Sequence, residues 1–265
     1  MSKTIIIAEI GENYLGQIEL AKRMIEQAAE AGANIVKFQS YFGKDFKDDD
    51  PEKAWFTKVE LSNDAHFKLK AFAEQNGVEF LSAPFSMERA KFLCEELGLK
   101  KIKIASGMMM NYELLDYLNS SNINTIFLST GLATLFEIAE VLKHLKRIPI
   151  VYVLHCVTQY PCEDKDANLR AILPLQKEFK LPVGYSDHTE GIEVSLAAVA
   201  LGACVIEKHI TLNNNLSGPD HKASIKEKQL KKMIENVRKI SIALGDGIKK
   251  VSPSEKQNIK IARNS

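Results

Sequence analysis

Ionisable side chains directly follow one of the most apolar segments of this chain. Val205 and Ile206 are followed at once by Glu207, Lys208 and His209, with no turn residue before them. Charged side chains are rare at the end of a buried strand unless they are paired or take part in chemistry. The stretch therefore marks a candidate functional site.

Polar groups of the same kinds follow the other strand-like segments. Alone, a buried histidine or lysine is more often a structural hydrogen-bonding residue, but several such charges at one place would be destabilising without a function. The lysines and serines suit the binding of a phosphate together with a carboxylate. The histidines and carboxylates suit a divalent metal with open positions and acid–base chemistry. The lysines and serines are Lys37, Lys103, Lys208, Ser106, Ser129 and Ser186, and the second set is His155, His188, His209, Glu9, Glu207 and Asp220.

The elements that must position these groups alternate regularly along the chain. Strands are predicted at 4–8, 34–38, 79–82, 101–105, 125–128, 148–154, 183–185 and 204–207. Helical periodicity predicts helices at 18–31, 65–76, 87–97, 112–120, 135–145, 169–179, 192–201 and 226–244. Eight strands alternating with eight helices predict an α/β fold, a single-domain (β/α)8 TIM barrel. An open doubly wound sheet is the alternative, but no GxGxxG turn follows the first strand.

The barrel prediction has consequences for the site. We expect the catalytic barrel to span residues 1–248 and residues 249–265 to form a linker-like tail. The active site of such a barrel lies where strands give way to the following loops. The segment 41–61, which holds the only tryptophan, is predicted to be a loop that covers the site. Strand alternation predicts that Lys208 faces away from Glu207 and His209 as a structural ion-pair partner. His66 and His144 are predicted to lie at the surface.

Composition excludes several classes of function. The chain has 265 residues, 45% of them hydrophobic, and a net charge of +1. This balance gives no bulk attraction to nucleic acid or to a membrane surface, and no segment approaches a membrane span of about 18 apolar residues. The four cysteines are scattered without metal-type spacing, which favours reduced thiols in a cytoplasmic protein.

A series of motifs resembles the N-acetylneuraminate (sialic acid) synthase family, which includes legionaminate and pseudaminate synthases. The segments are AEIGENYLG, VKFQS, FLSAPF, KIASG, LSTG, LHCVTQYPC, GYSDHTEG, ALGACVIEKHITL and GPDHKAS. The resemblance runs from about residue 5 and covers the family's (β/α)8 barrel domain. Family members usually continue into a small C-terminal antifreeze-like domain, and we expect the resemblance here to cover the barrel domain only, up to residue 265.

The resemblance implies an activity. Phosphoenolpyruvate would condense with the aldehyde of an N-acylated, N-acetylmannosamine-like hexose to give a nonulosonic (sialic-type) acid and phosphate, with C–O cleavage and a divalent metal, Mn or Mg. The implied roles divide into three groups: metal ligands His188 and His209; catalytic carboxylates Glu9 and Glu207; and substrate-binding residues Lys37, Gln39, Lys103, Ser106, Tyr160, Ser186 and Asp220. The expected partners are phosphoenolpyruvate and an amino-sugar acceptor, with a homodimer as a further expectation.

Departures from the family motifs occur mainly at positions that lie near the acceptor sugar in family members. Tyr14 replaces a histidine, and Met108 replaces a glutamate that contacts sugar hydroxyls, so the acceptor is left open. The methionines at 108–110 could form an apolar wall of the pocket or only fill the core, and for Met108 we expect the wall. Three alternatives remain: a synthase of another 3-deoxy-2-keto sugar acid that uses a phosphorylated sugar, a binding-only barrel that has lost turnover, and a metal-dependent hydrolase.

Overall fold

The chain folds into a barrel of parallel strands surrounded by helices. A computed structural model describes residues 3–263. The strands are β1 (Ile5–Gly11), β2 (Ile35–Ser40), β3 (Glu79–Pro84), β4 (Lys101–Ile104), β5 (Thr125–Ser129), β6 (Ile150–Cys156), β7 (Val183–Asp187) and β8 (Val205–His209). The order across the sheet is β3-β2-β1-β8-β7-β6-β5-β4, and β3 and β4 lie side by side at the remaining seam. The predicted (β/α)8 fold is therefore confirmed.

Helices separate the strands. They are α1 (Ile18–Ala31), α2 (Lys53–Val59), α3 (Asn63–Gln75), α4 (Met87–Lys91), α5 (Tyr112–Ser120), α6 (Leu135–Lys143), α7 (Ile172–Phe179), α8 (Glu193–Ala200), α9 (Glu227–Ala243), α10 (Pro253–Lys256) and α11 (Ile259–Ala262). The helix predicted at 87–97 continues past α4 as a π-helical turn, Phe92–Glu96. No helix within the described residues is long and apolar enough to cross a membrane. The linker-like character of residues 249–265 stays a prediction, although two short helices lie there.

Strand alternation sorts side chains into two apolar layers. Residues that point into the barrel form a small cluster at its lower end: Ile7, Ile35, Leu81, Phe127, Leu154 and Val205. Residues that point outward form the larger core against the helices. Two positions further along several of these strands, the inward side chains become charged or polar, as Glu9 follows Ile7 and Lys37 follows Ile35. The apolar cluster thus forms the floor of a polar cavity.

The segment that covers this cavity contains a helix that periodicity did not predict. Within 41–61, α2 is only seven residues long, which is too short for a clear 3.6-residue pattern. Aromatic packing holds it in place, because Tyr41 contacts both Phe46 and Phe56, and Phe46 stacks on Phe56 with ring centroids 4.4 Å apart. Phe56 and Glu52 of this segment line the cavity. The predicted cover over the site is therefore confirmed, although it is partly helical rather than a loop.

Candidate active site

A cavity of about 520 Å³ lies at the carboxyl ends of the strands. All of the residues given a role from the motifs line it: Glu9, Lys37, Gln39, Lys103, Ser106, Tyr160, Ser186, His188, Glu207, His209 and Asp220. They come from strands and from the segments that follow strands, which are far apart in sequence but converge at one end of the barrel. The position of each residue is thus established, whereas its chemical role is a separate question.

Two lysines and two glutamates form a buried charged cluster in the cavity. The Lys37 amino group lies 2.9 Å from Glu9 Oε2 and 3.7 Å from Glu207 Oε1. Lys103 lies 3.2 Å from Glu207 Oε1 and donates a 2.7 Å hydrogen bond to Ser129. All four charged side chains are at most 5% exposed. Because burial strengthens these interactions, the ion pairs fix two positive charges in the cavity beside two carboxyl groups.

The two carboxylates of this cluster differ in proton affinity. Burial raises the pKa of Glu9 to about 7, although Lys37 opposes the rise. Burial would also raise the pKa of Glu207, but Lys103, Lys37 and a 2.9 Å hydrogen bond from Ser186 Oγ bring it to about 2. At neutral pH Glu207 is therefore a permanent carboxylate, while Glu9 can gain or lose a proton. This division is common in acid–base sites.

Imidazoles and an aromatic ring form another side of the cavity. The rings of His188 and His209 have centroids 5.6 Å apart, and the Tyr160 ring lies 4.1 Å from that of His188. The Nδ1 atom of His209 lies 3.3 Å from Asp220 Oδ2 but makes no hydrogen bond. Burial lowers the pKa of His209 well below its ordinary value and raises that of Asp220 to about 6. His209 is therefore a neutral imidazole at physiological pH.

These imidazoles fit a metal site that is open on several sides. His188 Nδ1 donates to the Val157 carbonyl at 2.7 Å, which leaves Nε2 with its lone pair, as in many metal-binding histidines. His209 has a buried ring nitrogen without a hydrogen-bond partner. Among residues 3–263, no group of three or more His, Cys, Asp or Glu side chains is arranged to hold a metal ion. The pair fits a divalent ion whose other ligands come from solvent or substrate.

The outer face of the same strands holds a second, fully satisfied network. Lys208 Nζ lies 3.1 Å from Asp187 Oδ2, and both side chains are fully buried. Asp187 Oδ1 accepts from the backbone and hydroxyl of Thr189 at 2.9 and 2.7 Å, and Oδ2 accepts from Ser195 of α8. Lys208 also donates to the Thr189 carbonyl. The predicted orientation of Lys208 and its structural ion pair are confirmed.

A hydroxyl-rich wall completes the lysine side of the cavity. Ser106 Oγ accepts a 3.0 Å hydrogen bond from the Gly131 backbone and lies 3.7 Å from the Cys156 thiol. A Cβ atom at Gly131 would lie 2.7 Å from Ser106 Oγ and 2.2 Å from Thr158 Oγ1. Only glycine therefore lets these hydroxyls approach the backbone so closely.

Three expectations from the sequence are wrong: a site role for His155, a pocket wall at Met108 and a surface position for His66. His155 lies on the outer face of β6, where Nε2 contacts the Ala167 carbonyl at 2.9 Å, and its neighbour Cys156 lines the cavity instead. Met108 packs against the core and is not among the described residues that line the cavity. His66 is fully buried against Phe92, with ring centroids 5.3 Å apart.

Several lining residues were given no role from the sequence. They are Glu12, Glu52, Phe56, Cys156, Thr158 and Gln159. Strand alternation alone indicates Cys156, because Leu154 and Cys156 share the inward face of β6. Glu52 and Phe56 reach the cavity only through tertiary packing, which leaves no sequence pattern.

Comparisons with known proteins agree with this geometry. The NeuB family matches residues 24–249. The N,N'-diacetyllegionaminic acid synthase of Campylobacter jejuni is 47% identical, covering 100% of this chain and 84% of the relative. The N-acetylneuraminate-9-phosphate synthase of Mus musculus is 35% identical, covering 94% of this chain and 74% of the relative. The crystal structure of the N-acetylneuraminic acid (sialic acid) synthetase of Leptospira borgpetersenii has a TM-score of 0.92 and 37% identity, covering 100% of this chain and 92% of that one.

Proposed function

The chain belongs to the NeuB family, and from this premise we propose that it condenses phosphoenolpyruvate with the open-chain aldehyde of an N-acylated, N-acetylmannosamine-like hexose. The products are a nonulosonic acid and inorganic phosphate. The observation that carries this proposal is the buried cluster of Lys37, Lys103, Glu9 and Glu207 in one cavity with His188 and His209. Positive charge, a titratable carboxyl group and two imidazoles together match the needs of the reaction.

The reaction requires one C–C bond to form and one C–O bond to break. The enol carbon of phosphoenolpyruvate attacks the aldehyde carbon, and the aldehyde oxygen takes up a proton. Water then adds to the resulting oxocarbenium carbon, and the tetrahedral intermediate expels phosphate with its bridging oxygen to leave the keto group. A positive, water-poor environment stabilises the anionic substrate and these charged intermediates.

Each proposed role follows from a position in the cavity. Lys37 and Lys103, with Ser106 and Ser186, bind the phosphate and carboxylate of phosphoenolpyruvate. Glu9, whose pKa is about 7, receives the proton of the attacking water. Glu207 stays ionised between the two lysines and stabilises positive charge at the reacting carbon. On the acceptor side, Gln39, Tyr160 and Asp220 bind the sugar.

We propose His188 and His209 as the ligands of a divalent cation, Mn or Mg. When bound, the ion would supply Lewis-acid polarisation of the aldehyde oxygen. The support is the donor set: one imidazole is fixed through its Nδ1 atom, and the other has an unpartnered nitrogen. Calorimetric titration of Mn into the protein without substrates should give a binding signal that His209→Ala removes and His144→Ala, a partly exposed control, keeps.

Phosphate release tests the activity. Purified protein with Mn, phosphoenolpyruvate and a panel of N-acylhexosamines and related aldoses should release phosphate in proportion to a new 2-keto acid. Phosphoenolpyruvate labelled with ¹⁸O at the bridging oxygen should deliver the label to phosphate, because the C–O bond breaks. No release with any acceptor would overturn the proposal, and calorimetry with phosphoenolpyruvate would then reveal a binding-only barrel.

Three broader expectations belong to the same proposal. We propose residues 1–248 as the catalytic barrel and residues 249–265 as its tail, so a chain truncated after residue 248 should keep the phosphoenolpyruvate site. The free thiols of Cys94, Cys156, Cys162 and Cys204 suit the reducing cytoplasm. A homodimer is expected from the family resemblance, and light scattering tests it.

A further inference from the structure

Glu12 is a buried acid to which the reaction just proposed gives no role. It follows a bulge at Glu9–Gly11, where β1 shifts its register against β2 and Gly11 adopts a φ of +54°. Its side chain is 2% exposed and lines the cavity, yet neither carboxyl oxygen makes a hydrogen bond. Buried carboxyl groups normally have partners. The neighbouring Trp55 indole N–H is buried without a hydrogen bond of its own and interacts with Glu12, so a further donor for this carboxyl group can come from a ligand in the cavity.

The surroundings of Glu12 are acidic, unlike the lysine side of the cavity. Burial is the largest cause of the raised pKa of Glu12, and the carboxylates of Asp220, Glu52 and Glu9 raise it further. A hydrogen-bonding interaction with the Trp55 indole opposes the rise. Glu52 is exposed at the start of α2, and Asp220 follows the turn at Gly218. We call Glu12, Glu52 and Asp220 the acidic end of the cavity. Lys37 and Lys103, in contrast, form a lysine end.

A cavity with unlike ends can orient two substrates. The trianionic phosphoenolpyruvate is attracted to the lysine end, which leaves the acidic end for the acceptor. A sugar presents many hydroxyl and amide N–H donors, which can satisfy the unpartnered oxygens of Glu12. A phosphate group on the acceptor would instead meet the carboxylates of Asp220 and Glu52 and lose affinity through like-charge repulsion. Glu12, with a pKa of about 8, is mainly a neutral acid at pH 7 and acts there through hydrogen bonding. The charge pattern therefore distinguishes free acceptors from phosphorylated ones.

We propose that Glu12 determines acceptor specificity: it accepts a hydrogen bond from a hydroxyl or N–H group of an unphosphorylated acceptor, and the acidic end excludes phosphorylated sugars. This inference rests on the proposed function and makes it narrower. The relatives named above include a synthase of a 9-phosphorylated product, so membership of the family leaves the choice open. In this chain, the carboxyl group of Glu12 and its acidic neighbours select the unphosphorylated acceptor.

The experiment compares wild type with Glu12→Gln on matched acceptors. The probes are N-acetylmannosamine and N-acetylmannosamine 6-phosphate, followed by further free and phosphorylated N-acylhexosamine pairs, with phosphate release as the readout. We expect wild type to prefer the free sugar by about 100-fold in kcat/KM. Glu12→Gln should raise the KM of the free acceptor by about tenfold and leave the KM of phosphoenolpyruvate unchanged. The preference for the free over the phosphorylated sugar should become smaller.

Controls separate this role from a structural one. Glu60→Gln changes an acid of the covering segment 41–61 that does not line the cavity, and its kinetics should match wild type. Glu12→Ala is the second variant, and calorimetry with phosphoenolpyruvate identifies variants that retain a folded site. An unchanged acceptor KM in folded Glu12 variants, or equal use of both acceptors by wild type, would overturn the inference alone. Inactive wild type with every acceptor would instead overturn the proposed function.

Discussion

Replacement of Lys208 with methionine should strongly destabilise the barrel. Lys208 and Asp187 are fully buried and 3.1 Å apart, and Asp187 keeps its hydrogen bonds from Thr189 and Ser195 when the lysine is lost. The variant therefore retains a buried carboxylate without its counter-charge. Breaking a buried pair in this way costs about 3–5 kcal/mol. The long methylene chain of lysine is nearly matched by methionine, so the lost charge dominates the change.

Removal of both charges should recover most of this loss. Asp187→Asn keeps an acceptor for Thr189 and removes the charge, so the double variant Asp187→Asn/Lys208→Met should lie within about 1–2 kcal/mol of wild type. The double-mutant cycle then gives a coupling free energy of about 2 kcal/mol or more. Lys68→Met is the matched control, because its pair with Asp64 is exposed and should contribute at most about 1 kcal/mol.

Urea unfolding followed by circular dichroism at pH 7.5 measures these free energies. Each variant is compared through its transition midpoint and its slope, because a changed slope reveals a change in the unfolded state. A loss below about 1 kcal/mol for Lys208→Met would refute the assignment of an energetically important buried pair. If the losses in unfolding free energy of the two single variants simply add in the double variant, Asp187 and Lys208 are not coupled.

Three further predictions concern the cavity. His209→Ala should abolish metal-dependent phosphate release while circular dichroism shows a folded barrel, and full activity would exclude the ligand role. Gly131→Ala should raise the KM of phosphoenolpyruvate by about tenfold or more, because its Cβ would lie 2.7 Å from Ser106 Oγ; an unchanged KM would remove Ser106 from the phosphate site. Burial raises the pKa of Glu12 from 4.5 to about 8. Between pH 4.5 and pH 8 the folded state therefore keeps a proton that the unfolded state has lost, so the free energy of unfolding falls as pH rises through this range. Glu12→Gln should therefore be more stable than wild type at pH 9 and similar at pH 4, as measured by urea unfolding; parallel pH profiles would contradict this.

Sequence periodicity was sufficient to predict the barrel and many of the residues that line the cavity. Parallel strands bring their carboxyl ends together, so polar residues at those ends converge even when they are far apart in sequence. Alternation correctly separated Lys208 from Glu207 and His209. Applied to β6, the same rule would have placed Cys156 inside and His155 outside.

Other features depend on contacts that no local pattern records. Burial of His66 follows from its packing against Phe92 and its Nδ1 contact with the Ser62 carbonyl at 2.9 Å, not from the lysines beside it in sequence. Aromatic stacking under α2 brings Glu52 and Phe56 to the cavity. The split in pKa between Glu9 and Glu207 depends on distances to two lysines from other strands, which the sequence does not contain.

The two ends of the cavity have different structural origins. Lys37 and Lys103 lie within barrel strands, whereas Glu12, Glu52 and Asp220 lie beyond strand ends. Substitutions at these loop positions can therefore change the acceptor with little effect on folding. Substitutions at the lysines would disturb both substrate binding and the folding of the barrel. Barrels of this kind can diversify their sugar products through their loops and retain one condensation chemistry. For protein engineering, positions 12, 52 and 220 are the natural starting points for a library with altered acceptor use.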